Sequence, residues 1–492
     1  MPDQTRFRVC DAKPRVFVIS DISNEPDDAE SLVRYLLYGN ELDTRGLVAC
    51  TSTHMRKQTC AKDMVTIISA YSHVVDNLNA HVHPENRYPD AQYLLDMVKS
   101  GPPLYGKLAL EPNVPLSEGA KLLVDRLDES EDPLWVLCWG GTNVLAQALQ
   151  QIHATRSVTE SAHIRCKIRV YAISDQDDTG LWIRLTFPDI FYICSVHGWN
   201  QYKCATWTGI SGATDVGGSD PSKLTHQWLK ENIQIGPLGQ TYPDFQFLVE
   251  GDSPTFMYLI QNGLGSPEDP TWGSWGGRYD PVDISLAGKH YSDTSDTVIG
   301  RDGNTYTSNF ATIWRWRDAF QNDFAARMQW TMVSDNSKAN HAPVVIVNES
   351  NDSPKPLVLE LEAGETVSLD ASKSYDPDGD DLAFNWFQYK EVSFVTAFTS
   401  QQIPDIEIKN SDPHQPGRRV KITLPPPEIC GIDPISGKAK AKGEVYHFIL
   451  EVKDNGTPSL TTYKRVVIQT TNHQLRGERA FSVNTSADLL EL

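Results

Sequence analysis

Residues 15–28 read RVFVISDISNEPDD, and this stretch decides the fold. RVFVIS is a short apolar run rich in β-branched residues, the signature of a buried strand. It stops on Asp21. Within eight residues follow Asp21, Glu25, Asp27 and Asp28, with Ser23 and Asn24 adding neutral oxygens. The chain then turns helical, with Leu32, Val33, Leu36 and Leu37 spaced for one face. So many carboxylates in one loop repel each other unless a cation offsets them. Oxygen donors without nearby His or Cys favour Ca²⁺ or Mg²⁺ over zinc. A plain helix start accounts for part of the pattern too: Pro26 suits a first turn, and Asp27, Asp28 and Glu30 suit the positive end of the dipole.

Outward from this stretch, strand and helix alternate. GLVACTS (46–52), LWVLCWGG (134–141), IRVYAIS (168–174) and IFYICSV (190–196) read as buried strands. Helical patterns cover about 57–79, 91–99, 116–128 and the TNVLAQALQQI segment. Such alternation predicts an α/β domain with a mostly parallel, Rossmann-like sheet covered on both faces. Ligands bind outside the carboxyl ends of such strands. Polar clusters fall there at Asp21–Asp28, Ser52–Arg56 and Gly140–Asn143, and ISDQDDTG adds Asp175, Asp177 and Asp178, either in the same cleft or capping the next helix. From 200 to 310, frequent Trp, Gly and Pro predict ordered loops wrapping one end of the sheet. TIWRWRDAFQNDFAARMQWTM (312–332) reads as a closing helix.

A polar, Pro-bearing linker follows at 334–345. Beyond it, short strands and turns predict an all-β sandwich of immunoglobulin-like type. The domains are thus 1–338 and 345–473, with a tail at 474–492. In the second, DPDGDD carries Asp376, Asp378, Asp380 and Asp381. This is a good turn sequence by itself, and a Ca²⁺ held at the turn is the alternative.

The formal charge of −20, from 64 acids against 44 bases, excludes a sequence-blind nucleic-acid binder. It suits a protein that binds cations or neutral polar ligands, or simply one kept soluble. No apolar run approaches a membrane span. No secretory h-region precedes residue 15, so the chain reads as cytoplasmic as given and as secreted if a leader was removed. Eight cysteines form no CxxC pair and suggest no zinc site. Four N-x-[ST] sequons start at Asn348, Asn351, Asn455 and Asn484. The oligomeric state is open, and an oligomer is allowed.

Three elements in register resemble the nucleoside hydrolase family: the strand ending in an aspartate-rich loop, the strand followed by Gly140, Gly141, Thr142 and Asn143, and Asp252 before a helix in EGDSPTFMYLI. A closer resemblance, spanning nearly the whole chain, is to the nucleoside-hydrolase-like family associated with a bacterial cellulose-binding protein. It is carried by DISNEPDDAESLVR, by GDSPTF with NGLG and WGSWGGRYDP, and by WRWRDAFQNDFAARMQW. The second domain looks like polycystic-kidney-disease-type and cadherin-like sandwiches.

The resemblance implies a Ca²⁺ held by Asp21, Asp28, Asp252 and the carbonyl of Thr142. It implies a substrate pocket in which Asp27 grips sugar hydroxyls and Asn24, His54 and Asn143 lie nearby. The departures are specific. The family's bridging, base-acting aspartate falls on Ser23, its ribose-binding asparagine on His54, and a leaving-group histidine on Gly251. Either Asp21 or Glu25 therefore takes the part of base, or hydrolysis is lost. Trp272 and Trp275, set among glycines, are the expected exposed platform for stacking a sugar. The reading is a Ca²⁺-dependent hydrolase of N- or O-glycosidic bonds acting on a carbohydrate or nucleoside-like small molecule. Its alternative is a non-catalytic binder of cellulose or another polysaccharide.

Overall fold

The computed structural model describes residues 3–212, 214–283, 288–350, 354–393, 403–432, 438–440 and 442–475. Asn351, Asn484 and nearly all of the tail lie outside them.

The first domain is built on an eight-stranded sheet. Its strands are β1 Arg15–Ser20, β2 Asp43–Ala49, β3 Val98–Ser100, β4 Leu134–Cys138, β5 Ile168–Ala172, β6 Phe191–Cys194, β7 Tyr279–Pro281 and β8 His290–Asp293. Their order is β3-β2-β1-β4-β5-β6-β8-β7. Every pair is parallel except β7 with β8. All six residues of β1 are buried. Val16 and Val18 enter one apolar cluster, and Phe17 and Ile19 enter another on the opposite face. That two-sided burial explains why the strand reads as a continuous apolar run rather than an alternating one.

The chain builds outward from β1 through β2 to β3, then returns to place β4 on the other side of β1. The carboxyl ends of β1 and β4 therefore border a topological switch point, where open α/β sheets bind ligands. The helix Pro26–Leu37 leaves from this place.

Three details depart from the sequence reading. The helix expected over 57–79 breaks into Ala61–Tyr71 and Val75–Asn79. The region expected to be loops contributes β7 and β8 to the main sheet. It also forms a hairpin of β9 Asp296–Ile299 and β10 Thr305–Ser308. These strands are three or four residues long, too short for periodicity to register. The closing helix is split into Ala311–Trp314 and Arg317–Trp330.

The C-terminal part is two sheets. One is β11 Leu357–Glu362, β13 Ala383–Gln388, β16 Lys442–Lys453 and β17 Thr461–Thr471. The other is β12 Thr366–Asp370, β14 Ile408–Asn410 and β15 Arg419–Thr423. Leu369, Val420 and Ile422 from one sheet meet Phe448, Leu450, Val466 and Ile468 from the other in a single apolar cluster, as in a sandwich.

The two parts share a core. Tyr389, Ile449 and Tyr463 of the sandwich are buried in the same cluster as Trp316, Phe320 and Trp275. Arg465, 1% exposed, donates to the carbonyls of Leu264 (2.6 Å) and Trp272 (2.8 Å). Asp296, fully buried, accepts from Arg278 (2.7 Å), Arg315 (2.7 Å) and Tyr389 (2.6 Å).

This interface corrects the expectation for Trp272 and Trp275. Trp275 is 2% exposed and points its indole nitrogen at Tyr463 (3.5 Å). Trp272 packs edge-on against His447 beneath Arg465. The surrounding glycines serve close packing instead of exposure. A Cβ on Gly276 would lie 2.1 Å from the Pro254 carbonyl oxygen, and Gly273 has φ 78° against Tyr389.

Candidate functional site

The acidic loop begins where β1 ends. Asp21 is 2% exposed and Asp28 3%. Ser20 donates from Oγ to Asp28 Oδ1 at 2.5 Å. Asp27 and Asp28 occupy the first turn of the helix, behind Pro26 at its start. Ser23 bridges the two elements with φ 82°, a left-handed conformation uncommon outside glycine and frequent at functional loops.

Asp252 arrives from more than two hundred residues away and is 2% exposed. Carboxylate oxygens of Asp27, Asp28 and Asp252 lie within 4.8 Å of one another. Among the described residues this is the only group of three or more His, Cys, Asp or Glu so arranged. A buried scaffold docks the Asp252 turn on the helix. Arg34 pairs with Glu250 at 2.8 Å, Tyr242 donates to Glu250 at 2.8 Å, and the Glu250 amide donates to Glu30 at 2.9 Å. Trp139 is 1% exposed and donates to Thr255 (2.8 Å), which in turn donates to the Asp252 carbonyl (2.7 Å).

The second glycine-bearing element fits beneath. A Cβ on Gly140 would lie 2.5 Å from Asp21 Oδ1, and one on Gly141 would lie 2.4 Å from the Thr51 carbonyl oxygen. Two glycines are what allow β4 to end so close to the acidic loop. The Thr142 carbonyl already accepts the Ala146 amide at 2.9 Å, which leaves one lone pair for a cation. Asn143 is fully buried; its side-chain nitrogen donates to Thr51 and Leu104, and its side-chain oxygen has no partner.

The electrostatics agree with a cation site. Burial pushes Asp27 up to about 7, with the charges of Glu25 and Asp21 adding to it. Burial pushes Asp21 up to about 6 against the pull of Ser52. Asp28 and Asp252 are raised well above the ordinary carboxylate range by burial first and by their acidic neighbours second. One oxygen each of Asp21 and Asp252 is buried with no hydrogen-bond partner. Orphaned buried carboxylate oxygens are costly, and a metal ion is one of the few groups that satisfies them. The donors present thus fit Ca²⁺.

Asp21 stands outside the tight group of three. Its Oδ2 is nevertheless buried without a partner at the switch point, and its Oδ1 faces Gly140. Glu25 is half-buried at the helix N-cap and makes no side-chain capping bond there. Asn24 uses its backbone amide on the Asp21 carbonyl (3.1 Å). The Ser23 hydroxyl donates to Asp63, a residue the sequence reading did not single out.

Asp175 pairs with Arg184 and Asp178 accepts the Lys107 amide, so both are committed elsewhere. Asp177 lies just ahead of the helix Thr179–Thr186. One oxygen accepts the Thr179 amide at 2.8 Å, and the other is buried without a partner, where a Cβ on Gly141 would lie 2.5 Å from it.

An aromatic wall rises from the carboxylates. A Cβ on Gly251 would lie 2.7 Å from Asp27 Oδ2 and 3.4 Å from the Trp207 ring. Trp207 meets Tyr202 at 5.4 Å between centroids, and Tyr202 meets Trp199 at 5.3 Å. Exposed His54 stacks over Trp199 at 6.5 Å. Trp199 itself is 60% exposed. It is an aromatic face open to solvent beside the acidic site, the role expected of Trp272 and Trp275. Its position just past the end of β6 was the available signal.

Fold and site together define a nucleoside hydrolase-like α/β protein carrying a C-terminal β domain. The chain belongs to the family described as cellulose-binding Sde182, nucleoside hydrolase-like domain, whose pattern matches residues 15–279. Residues 366–470 match the C-terminal domain of cellulose-binding protein Sde0182. A nucleoside hydrolase-related hypothetical protein from Saccharophagus degradans, described as associated with carbohydrate metabolism, is 30% identical. The match covers 94% of this chain and 100% of that one, with a TM-score of 0.74. An inosine-uridine preferring nucleoside hydrolase from Bacillus anthracis is 13% identical over 65% of this chain and 100% of that one, with a TM-score of 0.32. The effector protein XOO4466 is 12% identical over 66% of this chain and 95% of that one, also at 0.32. No curated protein matches the sequence.

Proposed function

We propose that the acidic cleft binds a carbohydrate and hydrolyses its N- or O-glycosidic bond with the help of Ca²⁺. The observation that carries this reading is the convergence of Asp27, Asp28 and Asp252, three carboxylates within 4.8 Å at the switch point of the sheet. The cation would be held by Asp28, Asp252 and the Thr142 carbonyl, with Asp27 shared between cation and sugar. Bound there, Ca²⁺ supplies Lewis acidity and an anchor for sugar hydroxyls.

The chain's own residues supply the rest. Asp27 accepts hydrogen bonds from sugar hydroxyls. Asp21, with its buried unpartnered oxygen, takes the proton of the attacking water as that water's oxygen bonds to the anomeric carbon; the glycosidic bond breaks and the departing group takes a proton from solvent. Glu25 is the other candidate for this proton. Trp199 stacks on the sugar beyond the scissile bond. The cellulose-binding description of the family supports a glucan over a nucleoside.

A second reading, retention of sugar without cleavage, is favoured by one observation. The residue at the family's base position is Ser23, and its hydroxyl is turned to Asp63. The two readings separate in one experiment. Calcium-loaded protein is incubated with cello-oligosaccharides, aryl glycosides and nucleosides, and products are separated chromatographically. New reducing ends that vanish in Asp28→Ala support hydrolysis. Retarded but intact sugar in both calcium-loaded wild type and Asp21→Asn supports binding alone. Neither cleavage nor retention of any sugar overturns both.

A further inference from the structure

The linker between the two domains is fastened by a pair of buried histidines that the cleft does not use. His81, just past the helix Val75–Asn79, is 1% exposed, and His341 of the linker is 3% exposed. Nδ1 of His81 and Nε2 of His341 face each other at 3.1 Å. The other nitrogen of each ring is also engaged. Nε2 of His81 meets the Val333 carbonyl at 2.6 Å, beyond the end of the helix Arg317–Trp330. Nδ1 of His341 meets both oxygens of Asp378 at 3.0 Å, and the His341 amide donates to the same carboxylate at 2.8 Å. Asp378 belongs to the acidic turn of the second domain. One row of contacts therefore runs from the first domain through the linker to the second.

Counting protons fixes the charge of this row. A carbonyl oxygen only accepts, so Nε2 of His81 carries a hydrogen. A carboxylate only accepts, so Nδ1 of His341 carries another. Two ring nitrogens at hydrogen-bond distance attract only with one hydrogen between them, which makes a third. The pair thus holds one proton more than two neutral imidazoles, and Asp378 balances the extra charge. Shifting a proton from His341 to Asp378 alters neither the count nor the total charge. Without the third proton two lone pairs face each other. With a fourth, two N–H groups do.

Aromatic neighbours hold both rings in place. Phe7 stacks on His341 at 4.1 Å, and Trp330 stacks on His81 at 5.6 Å and on His341 at 5.4 Å. The charged groups around the pair are Asp378, with Asp376 and Asp380 in the same turn, Asp335 at the start of the linker, and Arg327, which lies over the Trp330 ring at 5.4 Å. Among the described residues no Lys or Arg pairs with Asp378. Burial pushes His81 down to about 4, opposed by the Val333 hydrogen bond and reinforced by His341, so the fourth proton is refused near neutrality.

We infer that Asp378, His341 and His81 form a pH-sensitive latch on the linker, closed by one shared proton and opened when acid supplies another. An unfolded histidine takes up its proton near about 6.5, and folded His81 does so only near about 4. The stability that the latch gains by keeping His81 neutral is therefore lost as pH falls from about 6.5 to about 4. Opening frees the linker and the Phe7 segment, while the shared core through Tyr389 and Arg465 keeps the domains together. No residue is shared with the cleft, so the latch does not rest on the cleft reading.

The test is hydrogen exchange of the 334–345 linker in full-length protein, corrected for the intrinsic pH dependence of exchange. This local readout is separate from the carboxyl cluster, whose pH trend has the opposite sign. Linker protection in wild type should fall by about tenfold to a hundredfold between about pH 6.5 and about pH 4.5. His81→Asn, which keeps an uncharged partner opposite His341, should remove most of that fall. His341→Asn is the second variant, and circular dichroism checks the folding of both. Histidine nitrogen NMR of wild type near pH 6.5 should show hydrogens on Nε2 of His81 and Nδ1 of His341, with one more shared between the rings. A fall in protection that both variants retain in full, no fall in wild type, or a His81 that carries its only hydrogen on Nδ1 overturns the inference.

Discussion

Replacing Asp28 by Asn should stabilise the metal-free protein and remove the cleft's share of its response to calcium, two effects of opposite sign from one substitution. Carboxylate oxygens of Asp27, Asp28 and Asp252 lie within 4.8 Å. At that distance and an effective dielectric of about 20, each ionised pair repels by about 3 kcal/mol. The carboxyls escape most of this by holding protons, as the rise of Asp27 to about 7 indicates. The net gain for Asp28→Asn is then about 1–2 kcal/mol. Calcium at a hundred times its dissociation constant stabilises wild type by about 2.7 kcal/mol, a shift of about 3–5 °C for a unit of this size. The pH sign follows from the raised carboxyls. The folded, metal-free chain retains protons that the unfolded chain, with carboxyl pKa near about 4, has released. Metal-free stability should therefore rise as pH falls from about 7 towards about 4, and bound calcium should flatten that slope. Thermal unfolding of wild type and variant, with chelator and with calcium, reads all of these. A metal-free Asp28→Asn protein less stable than wild type, or one that calcium still stabilises fully, refutes the reasoning.

Trp199→Ala should weaken retention on a glucan by about 2- to 10-fold, the worth of one aromatic stack, while calcium affinity stays unchanged. Affinity electrophoresis beside calcium calorimetry checks it. Gly251→Ala places a Cβ 2.7 Å from Asp27 Oδ2 and should lower calcium affinity at least tenfold in a folded protein, measured in the same titration. Asp296→Ala strands two buried arginines between the domains and should cost about 3–5 kcal/mol by denaturant unfolding. The two guanidinium groups hold the Asp296 carboxyl below its usual range despite burial. Its contribution should therefore be fully present above the unfolded pKa near about 4 and be lost as pH falls through the lower folded value.

The loop after β1 was legible because its chemistry is local: a buried strand, then acids, then a helix start. Gly140, Gly141 and Asp252 were legible only as a set in register. The scaffold of Arg34, Glu250, Glu30 and Tyr242 was not, since it joins segments far apart in sequence through contacts that leave no periodic trace. Trp272 and Trp275 misled for a physical reason. Glycine neighbours signal close approach of backbone as readily as exposure, and here the approaching surface is the second domain. Trp199, beside the single Gly198, keeps the open face. The short strands β7 to β10 escaped because three or four residues do not establish an alternation.

The central claim is that the cleft built by Asp27, Asp28 and Asp252 is a calcium site serving a sugar. Calcium calorimetry on stripped wild type beside Asp28→Ala tests it most directly. The account predicts one more calcium per chain in wild type than in the variant, and sugar affinity that disappears together with that calcium. Equal calcium binding by the two folded proteins would contradict it.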